Sequence, residues 1–301
     1  MIQDIYPDYY DPEFKNITIK EDDYLLSYKG NGILAVRENN TVYLPKLSDY
    51  KDLVGDKYES IKSEAYYLFA ISEKPYFLCT LKSEVLENID LYKTYNEAIE
   101  NTDADNKCWF YLSIHEFREL NPIVMVFAGA TGFHIRNWAE SKRFCGYCGS
   151  KTRPSEEERA FICCECGQIE YPKISPAVIV AIKNDDKLLL VRNKRGAYKK
   201  LALVSGFVEI GESFEQTVHR EVLEETGLKV KNVKRYKDQP WGISGAHMIG
   251  FTAEVDGDHT IKLQESELSE GKWYKKEEIP EYRNRLSVGS EMIQMFTEGK
   301  L

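Results

Sequence analysis

GFVEIGESFEQTVHREVLEETGL, running from Gly206 to Leu228, decides the reading of this chain. It follows the strand-like Leu203-Val204-Ser205, loops as far as Ser213, then reads as a helix to Thr226, with Gly227 as the stop. Glu221 and Glu225 are four apart, so they project from one helix face and can share a cation. At roughly 100° per residue, both fall within about 60° of Val218, beside Phe214 and Val222. They are therefore expected to point toward the fold. A solvated acidic face would set its charges opposite the apolar stripe. Inward carboxylates need protons, partners or a metal ion to offset desolvation.

Hard oxygen donors select Mg²⁺ or Mn²⁺ over zinc. Such an ion can hold bridging phosphates and acidify an attacking water, while a carboxylate takes the proton. No protein nucleophile is needed. Arg220, four residues before Glu224, is expected to orient that carboxylate through a bidentate pair.

On the N-terminal side, Ala177-Val178-Ile179-Val180-Ala181-Ile182 and Lys187-Leu188-Leu189-Leu190-Val191 flank a polar Asn184-Asp185-Asp186 turn, which predicts a hairpin with at least one buried strand. On the C-terminal side, strands are expected at Met248 to Val255 and Lys272 to Tyr274, then a helix from about Ser287 to Phe296. This half is mixed α/β.

Cys145-x2-Cys148 and Cys163-x2-Cys166 can close a tetrahedral site of four thiolates, with Gly146 and Gly149 supplying turn freedom. Four protein ligands leave no open position, so the expected Zn²⁺ is structural. Cys164 lies inside the second knuckle, but Cys163 keeps the CxxC spacing. Scattered buried thiols are the bland alternative. Basic Lys142, Arg143, Lys151 and Arg153 flank the cluster, countered by Glu156-Glu157-Glu158.

Earlier still, strand-like Tyr66 to Ile71 and helix-like stretches at Ile114 to Leu120 and up to Ser141 read as α+β and name no activity. The organisation expected is an N-terminal α+β domain over 1–143, a zinc ribbon over 144–170 and a catalytic domain over 171–301. The 301 residues allow about two domains of ordinary size. A net charge of −9 speaks against a general DNA binder. The apolar run Ile123 to Ala130 is far short of the ~20 residues that cross a bilayer and is expected to be a buried helix. No basic region and apolar core mark a secretory signal at the start, and paired CxxC motifs suit a reducing compartment, so cytoplasmic residence is expected.

The spacing G-x5-E-x7-R-E-U-x-E-E-x-G-U, with U a bulky apolar residue, is filled by Gly206, Glu212, Arg220, Glu221, Val222, Glu224, Glu225, Gly227 and Leu228. It is the signature of the Nudix hydrolases, and the chain is identified by it as similar to them. The order of variable domain, four-cysteine ribbon and Nudix box further resembles the bacterial NADH pyrophosphatases over about residues 105 to 301. Phe144-Cys145-Gly146-Tyr147-Cys148-Gly149, Tyr171-Pro172-Lys173-Ile174-Ser175-Pro176, Gln239-Pro240-Trp241, Met248-Ile249-Gly250-Phe251 and Glu267-x2-Glu270-x2-Trp273-Tyr274 carry that likeness.

The resemblance implies an α/β/α Nudix sandwich and hydrolysis of NAD(H) at its pyrophosphate to nicotinamide mononucleotide and AMP, extending to NAD-capped RNA. It implies that the Ser205 carbonyl, Glu221, Glu225 and Glu267 ligate the catalytic metal, with Glu270 the less favoured substitute, and that Glu224 or Glu225 is catalytic. It also implies substrate contacts from Glu158, Tyr171, Gln239, Pro240, Trp241 and the backbone near Gly289, in a homodimer. The family's Ser-Gln-Pro-Trp-Pro-Phe-Pro-x-Ser element is eroded here to Asp238-Gln239-Pro240-Trp241-Gly242-Ile243-Ser244-Gly245-Ala246, and His247 replaces an apolar residue. ADP-ribose or another dinucleotide is accordingly the alternative substrate. A zinc-ribbon protein that only senses a nucleotide is the non-enzymatic alternative, and the intact carboxylate set speaks against it.

Overall fold

Ser175–Asn184 and Lys187–Asn193 form the expected antiparallel hairpin, reversing through Asp185 at φ 53°. The computed structural model describes residues 1–79, 84–102, 107–194, 200–280 and 286–301. Two compact units divide the chain: one takes in Met1–Gln3, Ile174–Trp241 and Gly245–Leu301, the other Asp4–Lys173 and Gly242–Ser244.

In the first unit Ser175–Asn184 is central to a six-stranded mixed sheet. It runs antiparallel to Val204–Phe207 and parallel to Ala246–Val255, which pairs outward with Val230–Trp241. Lys187–Asn193 continues the other side to Leu268–Lys275. Because side chains alternate across a strand, the unbroken apolar run serves two faces. Val178, Val180 and Ile182 join Val218 and Val222 of the helix Phe214–Thr226, whereas Ala181, Leu188 and Leu190 join Val288, Met292 and Ile293 of the helix Val288–Thr297. A core on each face makes this unit an α/β/α sandwich.

The Phe214–Thr226 helix begins and ends where its sequence dictates. Ser213 accepts from the Gln216 amide at 3.2 Å while Gln216 accepts from the Ser213 amide at 2.8 Å, a reciprocal cap. Gly227 closes it at φ 70°, in the left-handed region that suits glycine. Phe214 departs from expectation: it is 40% exposed, and the buried stripe starts at Val218. As the first helical residue it lies a turn short of the core that Val218 and Val222 enter.

The second unit holds a four-stranded sheet, a five-stranded sheet and a small three-stranded one formed by Thr152–Pro154, Phe161–Cys163 and Ile169–Glu170. Tyr66–Ile71 is a strand, and the Ile123 to Ala130 run is the start of the helix Ile123–Ser141, with Val126 and Ala128 fully buried. The preceding helix is shorter than expected, Ile114–Phe117, because the chain turns away toward Pro122, where the long helix is capped. Phe161 packs edge-on against Trp138 with centroids 5.1 Å apart, and Lys142 pairs with Glu170 at 2.9 Å. The small sheet that carries Cys163 thus belongs to the same compact unit as the N-terminal segment. Among the described residues, no helix is long and apolar enough to cross a membrane.

Candidate active site

Gly206 lies opposite Val178, and Ser205 opposite Ile179, at the sheet edge that faces the carboxylate helix. The Glu221 carboxylate rests so close to Gly206 that a Cβ there would overlap it. Glycine is required at this position by contact.

Glu225 is only 6% exposed. Burial, together with Glu221, Glu267 and Glu224, pushes its carboxyl up to about 8. Glu221 is half-buried and is raised by burial too, although Arg220 opposes the rise. Glu224, one step round the helix, is exposed.

Glu267 is brought to this set by backbone ties. The Gln264 and Lys262 amides donate to the Glu225 and Thr226 carbonyls at 2.9 and 2.8 Å, taking up acceptors that a helix end leaves open. The Glu267 amide then donates to Gln264 at 3.0 Å, and the Lys194 amide to Glu267 at 2.7 Å. Glu270 is engaged elsewhere: Arg192 Nε reaches it at 3.0 Å, Lys272 Nζ at 3.1 Å and the Tyr274 hydroxyl at 3.0 Å. Arg192, followed by Lys272 and Tyr274, holds its carboxyl down at about 2. Of the two alternatives, Glu267 is the one that shares an environment with Glu221 and Glu225.

Arg220 does not form its bidentate pair with Glu224. Its Nε and Nη2 grip Glu212 Oε1 and Oε2 at 2.7 and 2.9 Å, while Nη1 bridges Glu221 at 2.8 Å and Glu224 at 3.0 Å. Nη2 also donates to the Phe207 carbonyl at 2.9 Å. Glu212, eight residues upstream on the loop, is met first because its carboxylate is already oriented by the Glu209 amide at 3.1 Å and the Thr217 hydroxyl at 2.9 Å. The Arg220 bond holds Glu212 down at about 2. Arg220 is therefore a buttress for two carboxylates and a loop rather than a group free to meet substrate.

The donor chemistry fits a hard divalent cation. Glu221, Glu225 and Glu267 offer only oxygen, and the like charges that raise Glu225 are the ones a cation would neutralise, although among the described residues only the four cysteines, and not these carboxylates, stand close enough together to hold an ion without rearrangement.

In the other unit Cys145, Cys148, Cys163 and Cys166 have sulfurs all within 4.8 Å of one another. Cys145 and Cys166 stand 3.7 Å apart, and Cys148 and Cys163 3.4 Å. Amides of Tyr147 and Cys166 donate to the Cys145 and Cys163 sulfurs at 3.4 and 3.5 Å, stabilising thiolate character in the knuckles. The Ser150 amide and hydroxyl hold Cys148 down at about 6, whereas at Cys166 the opposing Gln168 amide is outweighed by the neighbouring sulfurs of Cys163, Cys148 and Cys145, which push it up, as crowded thiols without a cation do. Cys164 is exposed and outside the cluster. Four thiolates fit Zn²⁺ and fill its coordination, so the zinc of this ribbon is structural.

The expected substrate contacts separate. Glu158 and Tyr171 form a pair of their own in the ribbon-bearing unit, the tyrosine hydroxyl donating to Glu158 Oε1 at 3.0 Å. In the sandwich unit, Pro240 is exposed and Trp241 half-buried at the end of Val230–Trp241. Gly289 is buried against Ile179, close enough that a Cβ would stand 2.7 Å from Cδ1. Gln239 is fully buried. Its Nε2 donates to the Leu286 carbonyl at 2.6 Å and to Gln3 Oε1 at 3.2 Å, and its Oε1 accepts from the Val288 amide at 2.8 Å. With its amide bonded to Leu286, Gln3 and Val288, Gln239 anchors the start of the helix Val288–Thr297. His247 bonds Asp238 at 2.8 Å across the same hairpin.

Sequence reasoning missed Glu212 as the arginine's main partner, although the x7 spacing between them was visible, and missed Gln3, for which no local pattern existed.

Profiles of two families match the chain: the NUDIX domain over residues 173–295 and the NADH pyrophosphatase zinc ribbon domain over 140–171. A protein described as NAD-capped RNA hydrolase NudC in Mannheimia succiniciproducens is 36% identical over 210 residues, covering 65% of this chain and 75% of that protein. One of the same description in Enterobacter sp. is 41% identical over 172 residues, covering 56% of this chain and 64% of that protein. The chain therefore spans somewhat less than two thirds of the latter relative. Among solved structures, a NUDIX hydrolase from Nitrosomonas europaea is 23% identical with a TM-score of 0.43, covering 52% of this chain and 91% of its own.

Proposed function

This chain belongs to the Nudix hydrolases that carry the NADH pyrophosphatase zinc ribbon, and on that premise we propose that it hydrolyses the pyrophosphate of NAD(H) to nicotinamide mononucleotide and AMP, including the NAD cap of RNA. The observation that carries the reading is Glu225, buried beside Glu221 and Glu267 and raised to about 8. Such a carboxylate cluster is costly to ionise without a cation.

The Ser205 carbonyl, Glu221, Glu225 and Glu267 would hold Mg²⁺ or Mn²⁺, which when bound polarises the pyrophosphate and acidifies a water. Glu221 is kept in place by Gly206 on one side and Arg220 on the other. The water's proton passes to one of the adjacent carboxylates, Glu224, steered by Arg220, or Glu225. Water adds across one P–O bond and the other nucleotide leaves, so no covalent enzyme intermediate is needed. Trp241 and Pro240 are assigned to the substrate from this unit.

A second reading, ADP-ribose or a different dinucleotide, is favoured by the inward turn of Gln239, which leaves only Pro240 and Trp241 of the family element available. Assaying NADH, NAD⁺, NAD-capped RNA and ADP-ribose side by side with each metal decides between them. The first reading expects AMP release from NADH at the highest kcat/KM. No AMP from NADH, with another nucleotide turned over, would reject that substrate and keep the chemistry.

Cytoplasmic residence is supported by the two CxxC pairs gathering as a metal site, the use of cysteine that suits a reducing compartment. A homodimer is supported by exposed Phe144 and Tyr147 on the ribbon and is tested by light scattering.

A further inference from the structure

Residues Met1–Gln3 belong to the sandwich unit, where they bond residues 235 or more positions away. Ile2 is 2% exposed, and its amide donates to the Leu286 carbonyl at 3.0 Å. Met1 packs against the core that contains Val288, Met292 and Ile293. Gln3 Nε2 donates to the Asp238 carbonyl at 3.1 Å, and Gln3 Oε1 accepts from Gln239 Nε2 at 3.2 Å, a bond spanning 236 positions.

These bonds converge on two places. One is the Asp238 carbonyl together with the Gln239 side-chain amide, directly before Pro240 and Trp241. The other is the Leu286 to Val288 segment, where Leu286 accepts from both Ile2 and Gln239, and Val288 donates to Gln239. Gly289 follows immediately. Gln239 is thus a hub, and Gln3 is its outermost partner. A buried amide with one member of its network removed loses orientation as well as a bond, because its remaining donors and acceptors must find new partners.

We infer that Met1–Gln3 is a positioning strap for the substrate-binding half of the catalytic unit: Gln3, through Gln239, sets the placement of Pro240-Trp241 and of the helix start at Gly289. It acts on nucleotide affinity and discrimination, and it does not touch the carboxylate cluster. The inference rests on the proposed substrate role of Trp241 and Gly289.

The test is a double-mutant cycle with Gln3→Ala and Gln239→Ala, reading kcat and KM for NADH, the Mn²⁺ activation midpoint, and NADH binding by quenching of tryptophan fluorescence. Loss of Gln3 is expected to raise KM and the binding constant together by roughly 3- to 10-fold, the size of one to two net hydrogen bonds, with kcat and the Mn²⁺ midpoint unchanged. The double variant should be no worse than Gln239→Ala alone, since Gln3 acts through Gln239. Additive losses, or a lowered thermal midpoint with KM and binding both unchanged, would overturn the strap's role and leave it a structural clip. A reduced kcat with a shifted Mn²⁺ midpoint would overturn it as well. Should the wild-type protein release no AMP from NADH, the substrate reading fails by itself. The same variant ratios, taken with whichever nucleotide of the panel binds the wild-type protein, then decide the strap.

Discussion

Arg220 and Glu212 meet through two parallel hydrogen bonds, 2.7 and 2.9 Å long, and this pair joins the loop after Gly206 to the carboxylate helix. The remaining arginine nitrogen bridges Glu221 and Glu224. Glu212→Gln removes the charge that orients the fork without changing its shape. Turnover is expected to fall about 10- to 100-fold, the usual size of an indirect loss at a metal site, with a higher Mn²⁺ midpoint and little change in KM for the nucleotide. A nucleotide KM that rises while the Mn²⁺ midpoint stays put would show that Arg220 serves the substrate instead.

Glu225 gives the protein a pH signature. Its carboxyl sits at about 8 in the folded protein against an ordinary 4.5, so the folded state holds the proton more tightly than the unfolded chain. The stability this lends the protein without a catalytic cation is complete below pH 4.5 and is lost as pH rises through about 8. Thermal midpoints of zinc-loaded protein freed of other divalent ions should therefore fall over that window, and Glu225→Gln should flatten the fall. A cation must displace the same proton, so its affinity should rise with pH up to about 8, with release of close to one proton at neutrality, measured by calorimetry in buffers of different ionisation enthalpy. The Gln variant should also lose turnover by on the order of 10²–10⁴-fold.

Gly206→Ala tests the contact between the strand and Glu221. The added methyl would occupy the carboxylate's position, and Glu221 has to move. Expected is a fall in activity of at least about 100-fold, in line with misplacing a reacting group by about an ångström, with an unchanged circular dichroism spectrum. Normal Mn²⁺ dependence in this variant would contradict the placement of Glu221 in the cation set.

For the ribbon, metal analysis should find one zinc per chain. In the native protein a thiol reagent should label exposed Cys164 and spare Cys145, Cys148, Cys163 and Cys166 until a strong chelator is added. Cys163→Ser should lose zinc and loosen the Asp4–Lys173 unit, whereas Cys164→Ser should keep both. Retention of zinc by Cys163→Ser would show that Cys164 takes its place.

Much of this architecture was legible because the deciding signals are local. Ser213 and Gly227 bound the helix, the Asp185-Asp186 turn makes the hairpin, and two CxxC pairs make the ribbon. Four-residue spacing put Glu221 and Glu225 on one face. What was not legible depends on partners distant along the chain or on the edge of the packed core. Helix periodicity points Arg220 at Glu224, yet a pre-oriented loop carboxylate at Glu212 competes better. Phe214 fits the apolar stripe by angle, but the core begins one turn later. Gln239 matches a substrate motif, and only its neighbours Gln3, Leu286 and Val288 reveal that its amide is already committed.

The carboxylate cluster is assembled from two pieces of chain, and what aligns them is main-chain bonding from the Lys262 and Gln264 amides to the Thr226 and Glu225 carbonyls. Those bonds are indifferent to the side chains at 262 and 264. Sequence drift at both positions is thereby compatible with an unchanged site, and proline, which has no N–H to give, is the residue that this arrangement bars from them.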